Sequence, residues 1–423
     1  MYKYDDEQII KSYENAKKIY SAYGVDIDKA IEIFNTIPIS LHNWQGDDVT
    51  GFEDHGSVVS ENLVTGNYPG RAGNGDEMRM DIDTAFSFSP CKPRVNIHSM
   101  YGEPGTTPRS EVTMEDFQKW LDWAKINKYA VDFNVSFFTH PMMNNGFSIT
   151  SLDKKTRDYW IKAGIGGREI ANEFGKQLGE TCINDIWVPD GLKDLPANRF
   201  RYRGYLEEAL DMILEKQYDK NNMRDVLEGK LFAIGVETFT VGSHEFYLGY
   251  AAKKGIGVCM DTGHYHPTES IIDKISSVYS FIDTMLLHIS RGVRWDSDHV
   301  VLQGDDLSGI MNEVVRGKLY EGDKMFMGLD YFDASINRVA AWTIGLRAAG
   351  KALISALCEP FELLDKAELD GDFTLRLALT DEFKNLPIND VWNYVCYKNK
   401  KPIGTEWINK LKIYEENVQN KRK

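Results

Sequence analysis

Apolar positions along the chain follow two alternating patterns. Short continuous or alternating apolar runs recur at ISLHNW (Ile39–Trp44), RVNIHSMY (Arg94–Tyr101), AVDFNVSFF (Ala130–Phe138) and NDIWVP (Asn184–Pro189). They continue at LFAIGVETF (Leu231–Phe239), GIGVCMD (Gly255–Asp261), TMLLHIS (Thr284–Ser290) and KMFMGLD (Lys324–Asp330). Runs of this length and composition predict strands. Segments of helical period separate them. In TMEDFQKWLDWAKINK, Phe117, Trp120, Leu121 and Ala124 form one apolar stripe, and Thr113 with Asp116 predicts an acidic capping box. Ile271, Ile275, Val278 and Ile282 share one face of a later helix.

Eight strands alternating with helices predict an α/β chain with a parallel sheet covered by helices, and eight is the number that closes a (β/α)8 TIM barrel. The first forty residues read as helices preceding strand one. From SINRVAAWTIGLRAAGKALISAL onward the pattern is helical again, with Trp407, Leu411, Tyr414 and Val418 on one stripe. The expected organisation is a barrel domain with N-terminal helices over residues 1–339 and a helical C-terminal extension over 340–423. The stretch from Gly51 to Gly66 is long for a βα connection and carries apolar Phe52, Val58, Val59, Leu63 and Val64, as if to cover a neighbouring subunit.

Charge narrows the function. With 49 basic and 64 acidic residues, net −15, the chain has the wrong sign for gripping nucleic acid through phosphates. It suits an enzyme for a neutral substrate, or one that collects cations. The five cysteines are far apart and lack CxxC spacing, which argues against a disulfide framework or a thiolate zinc site. No apolar run approaches a membrane span, and the charged N-terminal segment lacks a signal-peptide core, so a cytoplasmic location is expected. The glycine-rich GNYPGRAGNGD lacks P-loop and dinucleotide spacing and reads as a long loop without nucleotide.

The candidate chemistry is positional. Polar residues repeatedly sit at strand C-termini, where barrel enzymes build their sites. They include His98, His140, Asp190, Glu237, Asp261, His264, His288, Asp330 and Asp333. A lone histidine on a strand is more often a hydrogen-bonded core residue, and a lone strand-end aspartate more often a helix cap. Their coincidence on one face points further. Glu237, Asp261, His288 and Asp330, from four successive predicted strands, would present three oxygens and one imidazole, a set suited to Mn2+, Mg2+, Co2+ or Zn2+. His264 with Asp296 and Asp298 of RWDSDHV would hold a second cation, since two carboxylates at alternate positions of an extended segment repel unless a cation sits between them. Trp44 and Trp187 offer aromatic walls of the kind that hold sugar rings.

Carrying these residues, the chain closely resembles the L-rhamnose isomerase family. The resemblance rests on WQGDDVTGFE, TGNYPGRA, WVPDGLKD, GVETFTVGSHEFYLGYA, DTGHYHPTE, HISRGVRWDSDHVVL and GLDYFDASINR, and continues into LPINDVWNYVC and GTEWI. It implies a metal-dependent aldose–ketose isomerisation of L-rhamnose to L-rhamnulose by hydride shift, on a barrel assembled as a homotetramer. It implies Mn2+, with Zn2+ or Co2+ as alternatives, at a catalytic site of His264, Asp296 and Asp298 and a structural site of Glu237, Asp261, His288 and Asp330. Glu228 lies upstream of the predicted fifth strand, at the wrong end of the barrel, so Glu237 is preferred. Related xylose-isomerase-like enzymes often place a lysine two residues after this glutamate; here that position is Phe239, and Lys193 becomes the candidate for polarising substrate. His98 is assigned to ring opening or recognition of O5, and Trp187 to the substrate wall. Within enzymes the rivals are isomerases of related sugars and, less well matched in charge, a metal-dependent barrel phosphodiesterase. A non-catalytic sugar-binding protein would not need two adjacent cations.

Overall fold

The computed structural model describes residues 4–53, 66–233, 235–293 and 299–422. Eight parallel strands close into a barrel: β1 (Pro38–His42), β2 (Lys92–His98), β3 (Ala130–Asn134), β4 (Cys182–Trp187), β5 (Met223–Glu228), β6 (Gly257–Asp261), β7 (Met285–Ile289) and β8 (Met325–Leu329). Each strand pairs with its neighbour in this order. β1 closes the barrel against β8, with Ser40 opposite Gly328 and Leu41 opposite Leu329. Short connections through an outer helix keep successive strands adjacent and bring all their C-terminal ends to one rim.

Seven predicted strands coincide with barrel strands; the fifth does not. Among the described residues of Leu231–Phe239 only Phe239 lies in a strand, in a two-residue antiparallel ribbon that joins Phe239–Thr240 to Gly191–Leu192 outside the barrel. The fifth barrel strand is MRDVLE, paired with β4 from Met223 opposite Cys182 to Glu228 opposite Trp187, and with β6 through Glu228 opposite Cys259. Its Arg224 and Asp225 disguise it as surface. Asp225 is in fact buried, accepting hydrogen bonds from Arg168 at 3.0 Å and from Asn184 at 2.9 Å. Both partners are far away in sequence, so nothing local announces that the charge is satisfied.

Alternate residues of each strand point inward. At the barrel floor these are Ile183, Val226, Cys259, Leu286 and Phe326, which form one apolar cluster. Arg94 lies over the Phe326 ring at 5.1 Å and grips Asp132 through two hydrogen bonds, Nε to Oδ2 at 2.8 Å and Nη2 to Oδ1 at 2.6 Å.

The outer layer begins with α1 (Asp6–Ala22) and α2 (Ile27–Phe34), followed by α3 (Gly75–Ser87), α4 (Gln118–Asn127), α5 (Lys154–Leu178) and α6 (Arg199–Ile213). It continues with α7 (His244–Lys254), α8 (Ile271–Tyr279), α9 (Asp305–Arg316) and α10 (Arg338–Leu357). The predicted Thr113–Asp116 capping box is present, opening a 3-10 turn that leads into α4. α5 packs so closely that a Cβ at Gly175 would stand 1.7 Å from the Asn222 carbonyl oxygen, and only glycine permits that approach. Four more helices complete the chain: α11 (Phe361–Leu369), α12 (Phe373–Glu382), α13 (Ile388–Lys398) and α14 (Glu406–Asn417). α13 packs on α1, with the Tyr13 and Tyr394 rings stacked at 3.6 Å. No helix among the described residues is long and apolar enough to cross a membrane. Residues 54–65, which contain Val58, Val59, Leu63 and Val64, lie outside the described residues.

The Arg94–Asp132 pair is 2% and 1% exposed. Replacing Arg94 by Met leaves a buried carboxylate without its partner, and a loss of about 3–5 kcal/mol is expected in a denaturant titration. Lys17→Met, which breaks a surface pair, should leave the unfolding midpoint nearly unchanged.

Candidate active site

The rim at the strand C-termini carries a dense set of buried polar groups. Glu228 ends β5, Asp261 ends β6, His288 lies on β7 and Asp330 directly follows β8. All four are buried, and one ligand-capable atom from each lies within 4.8 Å of the others. His288 Nδ1 is 3.1 Å from Asp330 Oδ2, 3.3 Å from Glu228 Oε2 and 3.9 Å from Asp261 Oδ2. His264, which follows β6, places Nδ1 3.0 Å from Glu228 Oε1.

Electrostatics within this cluster are strongly coupled. Burial opposes ionisation of Glu228, but the neighbouring imidazoles of His288 and His264 outweigh it and hold the carboxyl well below its usual range. Burial likewise works against Asp330, and the imidazoles of His42 and His288 prevail, lowering it. Burial would neutralise His288, yet Cys259, Glu228 and Asp330 keep its pKa well above that of free histidine. His42 is pushed down to about 4, because burial, helped by the charge of His288, outweighs the pull of Asp330 and Glu228.

Further contacts run around the barrel interior. Asp185 of β4 faces Glu228, and burial together with that neighbouring charge raises its carboxyl well above the usual range. Asn134 Nδ2 donates to Asp185 Oδ2 at 2.9 Å, and Asn134 Oδ1 accepts from the Ser136 amide at 2.8 Å. Ser136 Oγ lies 3.3 Å from His98 Nδ1, His98 Nε2 lies 3.1 Å from His42 Nδ1, and that nitrogen lies 3.2 Å from Asp330 Oδ1. Polar contacts thus pass from β7 through β5, β4, β3, β2 and β1 to the end of β8. Aromatic rings cover part of this circuit. Trp44 stacks on His98 at 4.4 Å, Phe138 meets both Trp44 and Trp187 edge-on, and Lys230 Nζ stands 5.4 Å from the centre of the Trp187 ring.

The structure brings Asp261, His288 and Asp330 together, with His264 next to them and half-buried Trp187 beside His264. Glu237 is not among them. It is exposed beside the Gly191–Thr240 ribbon, and Glu228 stands in its place, because the fifth strand ends at Glu228. Lys193 is also exposed, and its carbonyl accepts a hydrogen bond from Thr238. The lysine two residues after the cluster glutamate is Lys230, which is buried at the Trp187 wall. His98 is fully buried, with both ring nitrogens engaged. Asp296 and Asp298 lie outside the described residues.

Other rim residues have structural roles. Asp190 accepts four hydrogen bonds from Ser148 and Thr150, and His140 receives the Met142 amide at 3.0 Å. Asp333 caps the turn at Ser335, and Asp47 accepts from Thr50, Gly51 and Tyr101. On sequence alone Glu228 yields to Glu237, and Lys230, Asp185 and His42 do not stand out. The Glu–Gly–Lys spacing at 228–230 carries the signal for the first two; nothing local marks the others.

The chain is similar to known proteins along nearly its whole length. The L-rhamnose isomerase (RhaA) family matches residues 7–422. L-rhamnose isomerase of Rhodopirellula baltica is 49% identical over 98% of this chain and 97% of its own length. Those of Listeria monocytogenes and Salmonella typhimurium are 45% and 44% identical, over 99% and 98% of this chain and 99% of each relative. With the barrel, the rim cluster and likeness along nearly its full length, the chain belongs to the L-rhamnose isomerase family of enzymes.

Proposed function

We propose that this chain interconverts L-rhamnose and L-rhamnulose with the help of divalent cations, and that Glu228, Asp261, His288 and Asp330 hold one of them. The observation that carries the reading is the convergence of three carboxylates and one imidazole from consecutive strands. Glu228 Oε1 and Asp330 Oδ1 are buried, and although each lies near an imidazole nitrogen, neither receives a hydrogen bond of acceptable geometry. Oxygen-rich donors left in this state fit a hard dication such as Mn2+. By family resemblance, Asp296 and Asp298 join His264 at a second, catalytic ion. Bound there, divalent ions supply Lewis acidity to the oxygens on C1 and C2 of the open sugar.

The protein's own groups do the rest. The aromatic wall of Trp44, Phe138 and Trp187 packs against the apolar face of the sugar and keeps water from the reacting carbons. Lys230, an ammonium with three donors beside that wall, orients and polarises a substrate oxygen. The O2 proton leaves, hydrogen shifts as hydride from C2 to C1, and O1 takes up a proton, so aldose and ketose keep the same composition.

A homotetramer suits the outer surface. α12 has no buried residue, although Phe373, Leu375 and Leu377 are 59%, 47% and 66% exposed, with Leu369 of α11 nearby. Apolar side chains at this density are usually covered by another surface. All five cysteines are free and buried, which suits the reducing cytoplasm.

Glu228→Gln and Glu237→Gln test the central assignment. The first should reduce turnover on L-rhamnose by about a hundredfold or more, and the second should leave it near wild type; the reverse ranking would restore the exposed glutamate. Exhaustive chelation should abolish ketose formation, with Mn2+ restoring it and raising the melting temperature through linkage. Lys230→Met should cost about two to four orders of magnitude in kcat, whereas Lys193→Met should not; equal losses would remove Lys230 from the chemistry. Light scattering should return a tetramer, and Leu375→Lys combined with Leu377→Lys should lower the mass. An active wild-type monomer would reject that assembly.

A further inference from the structure

Beneath the rim cluster lies a second donor set of different chemistry. Asp185 on β4, Glu228 on β5, Cys259 on β6 and His288 on β7 each offer an atom within 4.8 Å of the others, and all four are buried. The register explains the grouping. Glu228 is paired with Cys259 across the β5–β6 ladder, so both side chains point inward at one level, while Asp261 stands two residues further toward the rim. The Cys259 thiol faces the His288 imidazole inside this set, and neither ring nitrogen of His288 makes a hydrogen bond. Asp185 Oδ1 and Glu228 Oε1 are buried atoms that receive no hydrogen bond. Two residues, Glu228 and His288, therefore belong to both sets. The upper set adds two carboxylates, and the lower adds one carboxylate and a thiol.

We propose that Asp185, Glu228, Cys259 and His288 form a thiophilic cation site at the base of the active centre, which competes with the upper oxygen-rich set for Glu228 and His288. Softness separates the two. Carboxylate-rich donors favour Mn2+ and Mg2+, while a thiolate with imidazole and carboxylate favours Zn2+ and still more Cd2+. An ion that enters at the rim and meets Glu228 and His288 reaches Cys259 by moving one residue layer inward. Binding forms the sulfur–metal bond and releases the thiol proton to solvent. With Glu228 and His288 drawn down, the upper set keeps only Asp261 and Asp330, and a soft cation inhibits the enzyme by displacing the hard one.

The probe is Cd2+ titrated into Mn2+-equilibrated enzyme, read both by the ultraviolet thiolate-to-cadmium charge-transfer band and by turnover. The band does not depend on which ion supports catalysis, so it reports on this site even if the reading of the upper set fails. Wild type should develop one equivalent of the band as activity falls. Cys259→Ser should lose the band and need about tenfold or more Cd2+ for half inhibition. Asp185→Asn, which keeps the thiol, should show the band at higher Cd2+ and decides the matter if the serine variant does not fold. Mg2+ should produce no band. No band in wild type, a full band in Cys259→Ser, or unchanged Cd2+ affinity in Asp185→Asn would each overturn the proposal.

Discussion

The structure turns on the compensation of carboxylates held out of water. Glu228, Asp261, Asp330 and Asp185 all occupy the barrel interior, where an isolated ionised carboxyl is strongly disfavoured. Each is tolerated because others answer it. His288 stands between three of them, and Asn134 serves Asp185. The contacts from Glu228 through Asp185, Asn134, Ser136, His98 and His42 to Asp330 tie most of the strands at the level of the chemistry. A barrel interior filled by aliphatic layers would be simpler to stabilise, but it would offer no cation ligands.

That polar interior needs a rigid frame. Below it, the Arg94–Asp132 pair and the apolar cluster around Phe326 fix the floor. Around the rim, loops are pinned by buried carboxylates. Asp47 and Asp190 accept hydrogen bonds from loop amides and hydroxyls, which makes them supports for the site walls. Burial pushes the Asp47 carboxyl up to about 7 despite its hydrogen bonds from Tyr101, Gly51 and Thr50.

The terminal helices extend the same logic. Arg338 at the start of α10 grips Asp48 through Nε and Nη2, each at 2.6 Å, and donates to the Tyr68 carbonyl. Near the chain end, Arg422 forms a two-pronged pair with fully buried Asp81 of α3, and Tyr414 donates to the same carboxylate at 2.6 Å. The segments on either side of residues 54–65 are therefore anchored by helices that follow the last barrel strand. The C-terminal helices hold the mouth of the site as well as covering the barrel.

Much of this was legible in the sequence. The alternation of short apolar runs with helical stripes determined the eightfold barrel, because strands buried on both faces must be apolar and amphipathic helices must cover them. Polar residues at run ends marked Asp261, His264, His288 and Asp330, since side chains at strand C-termini share one rim. What the sequence did not decide was the fifth strand and all that hangs on it. LFAIGVETF has the composition of a strand, while MRDVLE carries two charges in its first half. Only tertiary contacts with Arg168 and Asn184, 57 and 41 residues away from Asp225, make burial of that charge tolerable. Reading LFAIGVETF as the strand points to Glu237 and Lys193, whereas the observed register carries Glu228 to the rim and leaves Lys230 buried at the Trp187 wall. Local patterning reports which residues are able to be buried; the partners that neutralise a buried charge come from distant segments, and so the charged strand and its donors emerge only when the barrel closes.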